Sequence, residues 1–277
     1  MKTLSENACF GGTQGVYSHR STTCQCDMTF AVYLPPQAAK SPVPVLWFLS
    51  GLTCTHENAM VKAGAQAWAA KAGIALVFPD TSPRGADVAD DDAIDLGQGA
   101  SFYVDATQKP WAPHFNMWSY IADELPALVF EKFNLSPTAQ GITGHSMGGH
   151  GALILAMNRP DQYKSLSAFA PIANPSAAAW GQKQLAEYLG DDHAEWAKHD
   201  ATLLMETTGY PGHILIDQGA DDQFANLLKP ANLGKAIAKK NQPATVRTHA
   251  GYDHSYFFVA SFMEDHIMHH AEILHGV

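Results

Sequence analysis

Between residues 24 and 34 the chain reads CQCDMTFAVYL, and its hydrophobic and polar positions alternate. Cys24, Cys26, Met28, Phe30, Val32 and Leu34 fall on one face; Gln25, Asp27 and Thr29 fall on the other. A period of two predicts a half-buried strand of the antiparallel kind. Past residue 42 the alternation stops. VPVLWFLS (43–50), IALVFP (74–79), QGIT (140–143), SLSAFA (165–170) and HILID (213–217) are short apolar runs, and TVRTHA (245–250) is a weaker one. Runs of this kind suit strands covered on both faces. Helical segments are expected between them, at 58–72, 117–133, 149–158 and 229–240, with a last one at 255–275. Pro126 lies inside the second and predicts a kink or a shifted start there. Buried strands alternating with helices predict an α/β fold. Its central sheet is mostly parallel, with helices on both faces and antiparallel strands at the N-terminal end. No repeat, low-complexity tract or linker interrupts the pattern, so one domain over residues 1–277 is expected.

Composition narrows the function classes. The chain is 46% hydrophobic and 16% charged, enough for one large core. Its net charge of −10 argues against a nucleic-acid partner, which needs clustered Lys and Arg. MKTLSENACFGG at the start has no apolar signal core, and no run of 18 apolar residues follows, so no membrane span is expected. Cys9, Cys24, Cys26 and Cys54 crowd into the first fifth of the chain. That clustering fits reduced thiols in a cytoplasm better than a disulfide framework. Cys24 and Cys26 have one residue between them and no second pair follows, so no zinc site is expected.

The chemistry centres on GHSMGGHG (144–151). G-x-S-x-G alone is a weak signal, but here a short strand precedes it and a helix follows. Strand, sharp turn and helix make a nucleophile elbow, with Ser146 at the apex and a helix N-terminus favouring negative charge. A serine hydroxyl needs a base to take its proton. On such a fold an acid and then a histidine follow in the chain. GYDHSYF (251–257) lies after the last strand, which makes His254 the base. His145 and His150 flank the elbow and are expected to point away from Ser146. The acid is expected in QGADDQF (218–224), where spacing alone does not separate Asp221 from Asp222. Asp253 is expected only to cap its loop. An oxyanion hole needs two backbone N–H groups: Met147 after the nucleophile, and Leu52 in SGLTCT (50–55) after an early strand. Cys54 then lies at the pocket wall as a bystander thiol. His266 and His270 have metal-pair spacing, but a solvated helix face is expected there instead. ADDDA (89–93) lacks the Gly and distal Glu of a calcium loop and reads as a solvated acidic loop.

Taken together, SGLTCT (50–55), FPDTSPRG (78–85), GASFYVDAT (99–107), GHSMGGHGAL (144–153), NPSAAAWGQK (174–183), LIDQGADDQF (215–224) and GYDHSYFF (251–258) resemble the S-formylglutathione hydrolase (esterase D) family, in order over almost the whole chain. The resemblance implies the α/β-hydrolase fold and a serine hydrolase that cleaves the thioester S-formylglutathione to formate and glutathione. It selects Asp222, two before Phe224, as the acid. With it the triad is Ser146, Asp222 and His254, and Leu52 and Met147 are the oxyanion donors. Cys54 matches a non-catalytic cysteine beside the nucleophile. Trp180 and Lys183 become candidates for contact with the glutathione part. No metal or other cofactor is implied, and a homodimer is. The run DLGQGASFY departs from the family at Leu96 and Ser101, as do the two alanines before Trp180; these touch the acyl pocket and not the triad. A broader short-acyl carboxylesterase is the nearest alternative. A non-catalytic binding scaffold predicts a lost triad member, and none is lost.

Overall fold

Nine strands make one sheet in the order β1-β2-β3-β5-β4-β6-β7-β8-β9 in the structure, a computed structural model that describes residues 1–276. β1 (Lys2–Cys9), β2 (Gly12–Arg20) and β3 (Asp27–Leu34) pair antiparallel, and β3 joins β5 (Ala75–Pro79) antiparallel as well. β4 (Val43–Leu49), β5, β6 (Leu135–Gly144), β7 (Tyr163–Phe169), β8 (Ile214–Gly219) and β9 (Ala244–His249) run parallel. This is the expected mixed sheet. Every residue of β4 is buried, so VPVLWFL has no polar face. Covering each such side chain contributes about 1.5–3 kcal/mol, which pins this run at the sheet centre.

The boundaries moved for identifiable reasons. The strand expected from residue 24 begins at Asp27. Residues 21–26 form a turn instead: Ser21 N–H bonds Cys26 O at 2.9 Å, and the Glu124 carboxylate receives Thr22 and Thr23 N–H at 2.8 and 3.0 Å. Cys24 and Cys26 remain buried, as small apolar residues. The helix expected over 58–72 is two, His56–Lys62 and Gln66–Ala72, separated at Gly64, whose φ of +66° is left-handed. Around Pro126 the helix widens into a π turn at Tyr120–Glu124 before continuing as Leu125–Lys132. Pro126 has no N–H for the Ala122 carbonyl, and the Gln162 side chain takes that acceptor at 2.8 Å.

Helices Ala179–Leu189, His193–Lys198 and Ala201–Thr207 were not anticipated. The terminal helix Tyr256–Leu274 packs on β6, β7 and β8 and on Gln66–Ala72. It carries the main correction. His266 and His270 are fully buried against the sheet, not on a solvated face. Serines on β7 explain this: His270 Nδ1 and Nε2 lie 2.6 and 2.8 Å from Ser165 and Ser167 Oγ, and His266 Nδ1 is 2.8 Å from Ser167 Oγ. Beyond it, His266 Nε2 faces Asp217 Oδ2 at 3.3 Å. Burial pushes both imidazoles below their ordinary value. Among the described residues no helix is long and apolar enough to cross a membrane.

Candidate active site

Ser146 sits between the end of β6 and the helix Met147–Asn158, at φ +60° and ψ −119°. A non-glycine residue rarely holds that conformation, and it costs on the order of 1–3 kcal/mol. Neighbouring strands enforce it. His145 N–H bonds Leu49 O at 3.0 Å, Ser146 N–H bonds Phe169 O at 3.0 Å, and Ile172 N–H bonds Ser146 O at 3.2 Å. The turn has no room for side chains at two glycines. A Cβ on Gly148 would collide with the Leu49 carbonyl, and one on Gly144 with the Gly148 backbone.

The loop after β4 forms the opposite wall. Gly51 approaches Ser146 so closely that an added Cβ would lie 3.1 Å from Ser146 Cβ. The loop is clamped from behind. Thr53 N–H bonds Gly99 O at 2.9 Å, Arg84 Nη2 donates to Cys54 O at 2.8 Å, and the Tyr103 hydroxyl donates to Ser50 O at 2.9 Å. Leu52 and Met147 N–H donate to no other group among the described residues. Unpaired N–H groups are what an oxyanion receptor requires.

The acid and the histidine come from the loops after β8 and β9. Asp222 Oδ2 lies 2.7 Å from His254 Nδ1, and Oδ1 receives the Phe224 N–H at 2.8 Å. Burial alone would raise the Asp222 carboxyl. The His254 hydrogen bond and charge, the Phe224 N–H and the Gln218 amide outweigh it and hold the group below the usual carboxylate range. Asp221 is exposed and its own N–H bonds Tyr252 O at 2.9 Å, so the structure brings Asp222, not Asp221, to His254. Asp253 turns away, and its carboxylate accepts the Ser255 N–H at 2.9 Å.

Ser146, His254 and Leu52 line one cavity of about 680 Å³ with Cys54 and Trp180. Lys183 is not on that wall. It pairs with Asp95, which is, at 3.1 Å. Burial raises the Cys54 thiol above its ordinary value, which keeps it a thiol and a poor nucleophile near neutral pH. His145 does not point away from the site. Its ring lies 4.6 Å from that of His254, centroid to centroid, and 5.4 Å from Tyr256. Burial, and then the His254 charge, push it down to about 3, so it packs there as a neutral ring. His150 is buried beneath Phe102 and pushed down to about 4 by burial. Among the described residues no three His, Cys, Asp or Glu side chains cluster to hold a metal ion.

The fold and this geometry have relatives. The family model Esterase matches residues 21–269. The S-formylglutathione hydrolase of Paracoccus denitrificans (strain Pd 1222) is 66% identical over 273 residues, covering 99% of this chain and 98% of that one. The solved structure of an S-formylglutathione hydrolase from Agrobacterium tumefaciens is similar at a TM-score of 0.97 and 49% identity, over 99% of this chain and 100% of that one. The serine hydrolase FphF of Staphylococcus aureus, at 20% identity and a TM-score of 0.74 over 94% of this chain and 98% of that one, shares the fold. The chain belongs to the esterase family that includes the S-formylglutathione hydrolases of Paracoccus and Agrobacterium.

Proposed function

We propose that the protein hydrolyses S-formylglutathione to formate and glutathione through a formyl-enzyme on Ser146, the last step of glutathione-dependent formaldehyde detoxification. The observation that carries this reading is the Asp222–His254 pair at 2.7 Å, with His254, Ser146 and Leu52 together on the wall of one cavity. The 66% identity to the Paracoccus enzyme supplies the substrate. His254 takes the Ser146 proton as Oγ attacks the thioester carbonyl, and Asp222 holds the imidazole by Nδ1 and balances its charge. Leu52 and Met147 N–H receive the tetrahedral oxyanion. Glutathione leaves as a thiolate, which needs little help from an acid to depart, and the proton held by the His254 imidazolium passes to it, restoring the neutral base. Water, activated by the same imidazole, then releases formate.

Trp180 on the cavity wall and Lys183, held at the rim by Asp95, are the contacts proposed for the glutathione part. The protein acts as one domain in the cytoplasm, as a homodimer, with no metal or other cofactor. A second reading, a broader short-acyl esterase, draws on the cavity itself: about 680 Å³ with apolar walls at Ile172, Phe224 and Leu228 exceeds what a formyl group needs. Measuring kcat/KM for S-formylglutathione and for a short aryl acetate separates the two. A ratio favouring the acetate overturns the glutathione reading. Ser146→Ala is expected to lower thioester hydrolysis by at least about a thousandfold, and unchanged hydrolysis in that variant overturns the mechanism.

A further inference from the structure

We propose that Gln218 is a positioning residue for Asp222, fixing its carboxylate and moderating its hold on the His254 proton. This rests on the triad reading above. Gln218 lies near the end of β8 and is buried. Its amide Nε2 donates to Asp222 Oδ2 at 2.7 Å and to Gly219 O at 3.3 Å. Both amide protons therefore have acceptors, which sets the amide orientation: turned over, Oε1 would face a carboxylate. Asp222 Oδ2 is thus shared between Gln218 and His254 Nδ1, at 2.7 Å each, while Oδ1 takes the Phe224 N–H.

Two consequences follow from that sharing. Gln218 and Phe224 N–H orient the carboxylate plane without His254, so Oδ2 is already aimed when the ring turns or titrates. A second donor on Oδ2 also shares the charge that the carboxylate offers the imidazolium. The other groups around His254 do not supply this. The His145 ring is neutral, and the Tyr256 phenol lies against His145, with the Cys54 thiol near it. The Asp253 carboxylate is committed to Ser255 N–H. Phe224 presents a ring at 5.1 Å.

The test compares Gln218→Met, which keeps the side-chain length and removes the donor, with Gln218→Glu, which adds charge behind Asp222. Full kcat and KM profiles against pH are measured on S-formylglutathione, with circular dichroism as the folding control. For Gln218→Met, kcat is expected to fall about five- to tenfold with KM within about twofold, and the acid limb of kcat/KM to move up by about half a pH unit. Gln218→Glu moves that limb further in the same direction. A loss of kcat or of stability with both limbs unmoved means Gln218 only fills space, and overturns the proposal. Ser146→Ala in the same assay separates the two readings. If it retains hydrolysis, the triad reading falls. If it is inactive while Gln218→Met overlays the wild type, the Gln218 proposal falls alone.

Discussion

Asp222→Asn tests the triad by changing one atom. The Phe224 N–H at 2.8 Å claims an acceptor, so the asparagine oxygen must occupy the Oδ1 position. Its NH₂ then replaces Oδ2, 2.7 Å from both His254 Nδ1 and the Gln218 amide nitrogen. A donor there forces His254 Nδ1 to become the acceptor, and the ring proton moves to Nε2. That nitrogen can no longer accept a proton from Ser146. Gln218 can relieve its own donor clash by turning over, at the cost of its bond to Gly219 O. It cannot restore the tautomer. Loss of the proper tautomer costs on the order of 10⁴-fold in kcat, or about 5.5 kcal/mol of barrier. Substrate binding does not involve the carboxylate, so KM should stay within about threefold. Steady-state kinetics on S-formylglutathione from pH 5 to 9 is the assay. The residual activity should rise at alkaline pH, where hydroxide replaces the missing base. Activity within about tenfold of the wild type at pH 7.5 would refute the assignment of Asp222.

Two further outcomes concern stability. Gly148→Ala drives a Cβ into the Leu49 carbonyl, a backbone atom that cannot step aside, so destabilisation by about 3 kcal/mol or more is expected in urea titrations; an unchanged midpoint contradicts the packing of the elbow. Glu124 is held down to about 2: burial would raise it, but hydrogen bonds from Ser21, Thr22 and Thr23 lower it further. A depressed carboxylate stabilises the fold above its unfolded value near 4.5 and loses that contribution as pH falls toward 2. The melting-temperature gap between wild type and Glu124→Gln should therefore be widest above pH 5 and close toward pH 2; a gap that does not change with pH removes the link.

Much of this protein was legible in its sequence because its chemistry is local. GHSMGGHG needs its glycines where two backbones nearly touch, and β4 carries an apolar run because both its faces are covered. The α/β order followed from those runs. What escaped depended on partners far away in the chain. His266 and His270 looked like a helix surface because the serines that receive them are about a hundred residues earlier, on β7. His145 was expected to point away from Ser146, but its ring meets one supplied from the loop after β9. The helices His193–Lys198 and Ala201–Thr207 did carry a local signal, in the caps Asp192 and Asp200, whose side chains accept N–H groups of the first turn. Their stretches, HAEWAK and ATLLMET, are too short to show the apolar period that draws attention to longer helices.

The chain of contacts behind the terminal helix has a consequence for how such enzymes are found. Ser167, His266 and Asp217 repeat the residue types of the proposed triad at 2.8 and 3.3 Å, with the imidazole reversed so that Nε2 meets the acid. All three are shut inside the core. A coordinate template asking only for serine, histidine and aspartate within bonding range would retrieve this buried constellation. An organophosphorus probe, which needs an entrance and somewhere to put a phosphoryl oxygen, should mark Ser146 and leave Ser167 untouched. The buried set is therefore a built-in false positive, against which any geometric definition of a serine hydrolase can be calibrated.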